Sequence, residues 1–510
     1  MNFGDVLSFL AHRHPHKPAL YDRDKTLSFG ELNIRANQLG NKFLSLGLGP
    51  NDKASLVMRN CSEYIEIVFA LMKIGAVPVP INFRLVGEEL AYIARNSDSK
   101  ALILEQEFIE KIGTITDQIR VDADKYYVIG SGPQGDMTSY ESLFEGASEA
   151  DPPVSVDEKS CSVMCYTSGT TGKPKGAIAS HKARILEFLA HAPEFKINED
   201  DVHLVAAPLC HSGGMFLSLG KLCIGGALCI MREFDPDEAL RLIDDKKATN
   251  TFMVPTMLNF ILELPEGTRS KYDVSSMRVI DCAGAPLPTR TKEGSMDFFH
   301  NAGLYEHYGS TECGVITLLK PADQRKKIRS AGKPLFGVKL KLVNEEKEQI
   351  SEDEVGEIFV KSPYNMDGYY NKGKEGFEGE WFATGDLAKQ DEAGYLYIVD
   401  RTRDMIISGG ENIYPTEIED VLYSNPKVLE TAVIGVPDER WGESVTAFIV
   451  LNEGQSSSQD EIIQYCRETL AGYKIPRSVN FVPSLPKSTS GKILKRVIRE
   501  EYWKDKEIKV

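Results

Sequence analysis

Two apolar periods alternate along the chain. In residues 1 to about 160, ELNIRANQLGNKFLSLG has apolar positions at helical spacing, and the short runs KASLVMRN and GAVPVPIN after it predict strands. A second set follows, with predicted strands at DVHLVAAPL, GALCIM, TFMVP and MRVIDCAG and a predicted helix at DPDEALRLIDDKKA. Strands separated by helices pack as α/β layers, because each helix must bury its apolar stripe on a sheet face. From about residue 330 the texture changes to short strands and glycine-rich turns, VKLKLVNEE, VGEIFVKS and GYLYIVDR, which predict a small β-rich subdomain. Beyond the charged turn at residues 400–403, EIEDVLYSN and QDEIIQYCRETLAGY predict the helices of a last region. The expected fold is α/β: a large N-terminal body of two layered α/β subdomains plus the β-rich subdomain, residues 1–402, carrying a small mobile C-terminal α+β lid, residues 403–510.

Composition narrows the class. A chain of 510 residues exceeds one compact domain, and 42% apolar with 26% charged residues is ordinary for a globular protein. A net charge of −16 argues against a general nucleic-acid binder, which needs excess Lys and Arg to neutralise phosphates. It leaves room for local anion sites, and Lys487, Lys492, Lys495, Arg496 and Arg499 form one basic cluster. The nine cysteines contain no CxxC pair and lie mostly in apolar runs, so they read as small buried hydrophobes in a reducing compartment. The N-terminus lacks the basic start and long apolar core of a signal peptide, and no apolar run approaches the roughly 20 residues that span a bilayer. A cytoplasmic protein without a transmembrane segment is expected.

Residues 166–177 read YTSGTTGKPKGA, between the apolar-leaning SVMC and a predicted helix. Small residues let successive N–H groups converge on an anion, while Thr167, Ser168, Thr170 and Thr171 add hydroxyls and Lys173 and Lys175 add charge. The segment predicts a polyphosphate cradle rather than a linker. It is not the P-loop of nucleotide hydrolases, because Gly169 and Gly172 are two residues apart and Pro174 follows Lys173.

Four later motifs accompany it: YGSTE at 308–312, TGD at 384–386, DRTRDMIISGGENIYPTEIE at 400–419 and PKSTSGKILKR at 486–496. With these five motifs in order, the chain resembles the adenylate-forming superfamily over nearly its whole length. That superfamily includes acyl-CoA synthetases, peptide-synthetase adenylation domains and firefly-type luciferases. The wording GGENIYPTEIE and ATGDL is most similar to fatty and aromatic acyl-CoA ligases. The resemblance implies activation of a carboxylate with MgATP to an acyl-adenylate plus pyrophosphate, then transfer of the acyl group to a thiol.

The resemblance also implies roles. A carboxylate attacking the α-phosphate brings anion to anion, so fixed cations and dipoles must offset the growing charge. Lys492 matches the catalytic lysine, Glu312 the Mg²⁺ ligand, and Thr311 a donor to a phosphate oxygen. The phosphate segment including Gly169 and Gly172, together with His307, Tyr308 and Gly309, is expected to bind nucleotide, Tyr308 offering a flat face for adenine. Asp386 has two acceptor oxygens suited to the ribose hydroxyls, and Arg401 contacts the nucleotide from the domain boundary. Gly284, Ala285 and Pro286 line the adenine and acyl pocket. His211, Met215, Phe216, Ala283, Ser310 and Val315, with Val254 and Ile316, are expected around the acid, and their apolar character suits a medium-chain or aromatic carboxylate better than acetate.

Relatives turn the lid about a hinge, here Arg403, to run both half-reactions in one site. Lys492 enters for adenylation, and the loop Ser408, Gly409 and Gly410 faces the site for thioester formation, where glycines leave room for pantetheine. Lys474 is a further CoA contact. The expected cosubstrates are ATP with Mg²⁺, CoA and a small carboxylic acid, and a homodimer is an allowed assembly. Loading of a carrier-protein phosphopantetheine stays open as a sibling reading, although no carrier domain is attached before Val510. A non-catalytic nucleotide sensor is disfavoured by the joint presence of Lys492, Glu312 and Asp386. A luciferase-type oxygenase is disfavoured too, since the terminal KEIKV is not the peroxisomal SKL address.

Overall fold

The computed structural model describes residues 1–85, 87–131, 137–167, 173–401, 404–408, 411–438, 440–487 and 491–504. Two sheets with parallel cores form the body. The larger has nine strands in the order Lys333–Pro334, Gly314–Leu319, Gly303–Ser310, Val279–Cys282, Asn250–Met253, Val202–Val205, Ala227–Ile230, Pro18–Asp22, Lys25–Ser28. Its pairs are parallel in the interior and antiparallel at both edges. The second is a five-stranded parallel sheet, Val77–Ile81, Lys53–Val57, Ser99–Glu105, Tyr126–Ile129, Thr138–Ser139.

The helices Phe29–Ser45 and Ser62–Lys73 fill the space between these sheets. Ser62–Lys73 is buried at every position except Glu63, as a helix apolar all round must be. One apolar cluster joins Leu39 and Phe43 of the first helix, Ile65 and Phe69 of the second, Leu56 and Ile103 of the smaller sheet, and Leu228 and Ile230 of the larger. Ser28 starts the first helix with a capping box, its side chain accepting from the Glu31 N–H while Glu31 reaches back.

The β-rich subdomain is an antiparallel sheet of Lys339–Val343, Gly356–Lys361, Trp381–Gln390 and Phe377–Glu378, with Leu396–Arg401 paired to Trp381–Gln390. The phosphate segment departs from expectation at one point. A strand, Lys175–Ser180, comes between it and the helix His181–Glu194, pairing with Cys161–Thr167 on one side and Gly368–Tyr369 on the other. The lid has its own sheet, Glu411–Ile413, Ile406–Ser408, Gly442–Leu451 and Val428–Asp438, with Ser478–Phe481 added in parallel. Pro415–Ser424 and Gln459–Arg467 cover one face through Ile418, Leu422 and Ile462, and Lys495–Trp503 covers the other through Ile498. The observed class is the expected one. All nine cysteines are free thiols, and among the described residues no helix is long and apolar enough to cross a membrane.

Candidate active site

In a parallel sheet the strand carboxyl ends lie at one edge, and the loops leaving them gather there. Val279–Cys282 runs into Ala283 and Gly284, Asn250–Met253 into Val254, Val202–Val205 into the turn bearing His211, and Gly303–Ser310 into the hairpin bearing Thr311 and Glu312. Gly284 has φ +93°, and a Cβ there would stand 3.2 Å from Val254 Cγ1 and 3.4 Å from Lys492 Cε. Lys492 of the lid is therefore seated on the Gly284 backbone. Gly491 before it has φ +80°, and a Cβ would meet Thr256 Oγ1 at 2.8 Å, so the lid turn and the start of the helix Pro255–Glu263 approach too closely for a side chain. Ala285 and Pro286 follow Gly284 on the exposed side of the same edge.

Three charged groups surround that lysine. Asp386 and Arg401 are cross-strand partners, with Arg401 Nε 3.4 Å from Asp386 Oδ1, and the Tyr308 hydroxyl donates to Asp386 Oδ2 at 2.6 Å. Burial lowers the Lys492 pKa, Arg401 lowers it further, and Asp386 and Glu312 act in the opposite direction. Burial pushes the Tyr308 phenol well up, and the Asp386 charge adds to it. Burial holds His211 down at about 4, with Lys492 and Arg84 contributing, so its imidazole is neutral near pH 7.

The Thr311–Glu312 hairpin is held from behind. Gly309 cannot carry a side chain, because a Cβ would lie 2.3 Å from the Gly314 carbonyl oxygen. Gly314 has φ +67° and abuts the Glu187 carboxylate, whose Oε1 accepts from the Val315 N–H at 2.9 Å. Buried Arg184 pairs with Glu187 and donates to the Tyr364 carbonyl at 3.1 Å. On the site side, Thr311 Oγ1 is 2.8 Å from Ser212 Oγ, Glu312 Oε1 accepts from the Tyr369 hydroxyl at 2.8 Å, and Ser310 Oγ accepts from the Cys313 N–H at 3.2 Å. Among the described residues no group of three or more His, Cys, Asp or Glu could hold a metal ion. A single carboxylate such as Glu312 suits a Mg²⁺ ion that keeps phosphate and water as its other ligands.

Ser168, Gly169, Thr170, Thr171 and Gly172 of the phosphate segment lie outside the described residues, as do Arg403, Gly409 and Gly410. Thr167 closes its strand with an Oγ1 that is buried and has no hydrogen-bond partner among the described residues. Lys173 is exposed near the Tyr92 ring. Lys175 is buried and paired with Glu375 at 2.7 Å, so its charge is directed at that carboxylate. Lys474 holds both Glu417 oxygens, at 2.8 and 2.7 Å, and Ser408 is buried in the lid sheet.

Ala283 packs with Ala207, Leu217 and Phe252. Phe252 stacks on His307 with centroids 5.8 Å apart and planes 24° apart, and a Cβ on Gly213 would touch the Phe252 ring at 3.2 Å. His307 Nδ1 lies 2.7 Å from Asp281 Oδ1. Met215 and Phe216 instead belong to the central core with Leu219 and Leu222, and Ile316 and Val315 pack in separate clusters behind the hairpin. Sequence reasoning thus missed Leu217, Phe252 and the His307–Asp281 pair. Leu217 had a signal, since it stands four residues after Gly213 on one helix face.

Comparison with known proteins shows the family. The family model for AMP-binding enzymes matches residues 9–370, and the model for the AMP-binding enzyme C-terminal domain matches residues 417–492. A feruloyl-CoA synthase of Amycolatopsis sp is 35% identical over 501 residues, 96% of this chain and 97% of that protein. The long-chain-fatty-acid–CoA ligase FadD13 of Mycobacterium tuberculosis is 34% identical over 491 residues, 94% of each. Among solved structures, the anthranilate CoA ligase AuaEII in complex with anthranoyl-AMP superposes with a TM-score of 0.91 at 28% identity, covering 98% of this chain and 97% of that one.

Proposed function

The chain belongs to the AMP-binding enzyme family, and from that premise we propose that it is an AMP-forming acyl-CoA ligase acting on an aromatic or medium-chain carboxylic acid. The observation that carries the reading is the convergence of Lys492 from the lid with Gly284, Asp386, Arg401 and Glu312 of the body at one sheet edge.

In the adenylation step the acid enters beside Ala283 and Phe252, and its carboxylate meets the ATP α-phosphate near Lys492. The ammonium offsets the repulsion between the two anions and the charge that grows on the α-phosphate as pyrophosphate leaves, a role worth on the order of 10² to 10³ in rate for one fixed donor. Arg401 and Asp386 hold the ribose end, and Tyr308, tethered through its hydroxyl, presents its ring to the base. Thr311 offers a hydroxyl to phosphate, and Glu312 would hold Mg²⁺, which offsets phosphate charge when bound. Residues 167–173 and Lys175 form the phosphate cradle. In the thioester step the lid turns near Arg403, bringing residues 408–410 to the site for CoA, with Lys474 as a further contact.

The buried Phe252 ring, stacked on His307 and packed with Ala283 and Leu217, supports an apolar or aromatic acid, since an aromatic side chain packs well against a flat ring. Relatives named for ferulate and anthranilate lean the same way, and the one named for long-chain fatty acids keeps the alkyl alternative in the test. ATP–pyrophosphate exchange with ferulate, anthranilate, octanoate and palmitate, then thioester formation with CoA or with a phosphopantetheine carrier protein, tests the reading. Exchange with none of the acids would refute acid activation, and transfer only to the carrier would move the acceptor.

A further inference from the structure

Besides the turn bearing Lys492, the lid meets the body through one face of the helix Pro415–Ser424. Thr416 and Asp420 are four residues apart and so share a face of that helix. The Thr416 hydroxyl donates to the Val399 carbonyl, its N–H donates to Asp400 Oδ2 at 3.3 Å, and the Asp420 carboxylate pairs with the Arg329 guanidinium of the body. Elsewhere on the same helix Glu419 Oε1 holds Lys495 Nζ at 2.8 Å and accepts from the Val433 N–H at 2.7 Å. Lys495 opens the helix Lys495–Trp503, three residues after Lys492. Contacts thus run from Arg329, Val399 and Asp400 through one helix to the turn that bears Lys492.

Arg329 is held in a fixed attitude. Its φ of 67° is a left-handed backbone that an arginine adopts only where its surroundings impose it. Ser330 Oγ and the Ala331 N–H both donate to the Leu396 carbonyl at 2.8 Å, and the Leu396 N–H returns to the Gly332 carbonyl at 2.8 Å. Leu396 begins the strand that ends at Arg401. The arginine and the end of the body before the hinge therefore form one platform.

We infer that Arg329, Asp420 and Thr416 are positioning residues that form a latch for the adenylating pose, engaged while Lys492 is in the site and released when the lid turns to thioester formation. The inference rests on the two-pose reading above. A lid turning beside Arg401 carries Asp420 off Arg329 as it withdraws Lys492, so the pair stabilises one pose only, and removing it shifts the population between poses.

The test compares Arg329→Asp, Asp420→Arg and the charge-swapped double variant with the unmodified enzyme. Each is assayed for ATP–pyrophosphate exchange with ferulate, or the fastest acid of the panel, and for thioester formation from the synthetic acyl-adenylate plus CoA. Melting temperatures check that all variants fold, and Lys492→Ala runs alongside. Each single variant is expected to lower exchange about three- to tenfold with thioester formation unchanged or faster, and the swap to recover most of the exchange. Unchanged exchange in the single variants, an equal fall in both half-reactions, or no recovery in the swap overturns the latch while leaving the two-pose reading intact. An equal fall of both half-reactions in Lys492→Ala defeats that reading and the latch with it.

Discussion

Replacing Gly309 by alanine tests whether the hairpin bearing Thr311 and Glu312 is the rigid part of the site. The new Cβ would stand 2.3 Å from the Gly314 carbonyl oxygen and 3.1 Å from Val315 Cα, both backbone atoms. Relief to ordinary contact needs a shift of about 1 Å. The Gly314 side has little room to give, because its backbone abuts the Glu187 carboxylate, which buried Arg184 holds in turn. The displacement therefore falls on residues 309–312, where it takes Glu312 away from Tyr369 and Thr311 away from Ser212. Overpacking of this kind costs about 1–3 kcal/mol of stability, and a 1 Å misplacement of a catalytic group can cost about 10²-fold in rate. Exchange measured with the best acid of the panel should fall by about that factor, while the melting temperature drops only modestly. A variant with full exchange, or one whose loss of activity merely tracks loss of folded protein, would refute the claim that this hairpin sets the geometry.

Other outcomes follow from the same contacts. Lys492→Ala should lower exchange by about 10² to 10³ yet leave thioester formation from supplied acyl-adenylate near normal, read in the two half-reaction assays. The rate of exchange should fall at alkaline pH with a midpoint below the ordinary lysine value of 10.5, because burial and Arg401 disfavour the charged Lys492. Glu187→Leu leaves Arg184 as an unpaired buried cation and should cost about 3–5 kcal/mol, whereas Arg184→Met with Glu187→Leu should recover much of it in thermal melts. Burial holds His181 and His211 at about 4 and His203 at about 3, so each is neutral in the fold and takes a proton on unfolding below its ordinary 6.5, whereas buried Asp400, at about 6, is protonated in the fold first. With His191, which burial also holds well below 6.5, four imidazoles take up a proton against one released by Asp400, so stability should fall as pH drops from 6 toward 4.5. A melting temperature that stays level between pH 7 and 5 would contradict this.

The α/β layers and the motifs were legible because each is written in contiguous residues: a hydrophobic period, or a string such as YGSTE whose types announce its chemistry. What supports them was not. Glu187 reaches Val315 from 128 positions away, and Arg329 reaches Asp420 across the boundary of body and lid, so neither partner carries a local mark. The packing beside Ala283 was less legible. The helix Ser212–Cys223 is buried on nearly every side, so only the spacing from Gly213, and no polar face, marks Leu217 over Met215 and Phe216 as the residue that turns toward Ala283. Lys175 was read by charge alone, and its partner Glu375 lies two hundred positions on, where no local pattern marks it.

The electrostatics of the site reconcile an acidic chain with anionic substrates. The net charge of −16 opposes the approach of ATP and of a carboxylate, and at a Debye length of about 8 Å such repulsion is felt only close to the surface. Inside the cleft the lid lysine stands in the field of Asp386 and Glu312, and Arg401 lies against Asp386. On the proposed function ATP would take over these carboxylates, with ribose hydroxyls at Asp386 and a Mg²⁺ ion at Glu312. Binding then exchanges one set of charge pairs for another instead of creating charges in a dry pocket, which keeps the desolvation cost low. On the same proposal, phosphate charge adds to what favours the lid pose with Lys492 inward. On the proposed mechanism, departure of pyrophosphate would remove much of that attraction, leaving the Arg329–Asp420 pair and the Thr416 contacts to oppose the turn toward CoA.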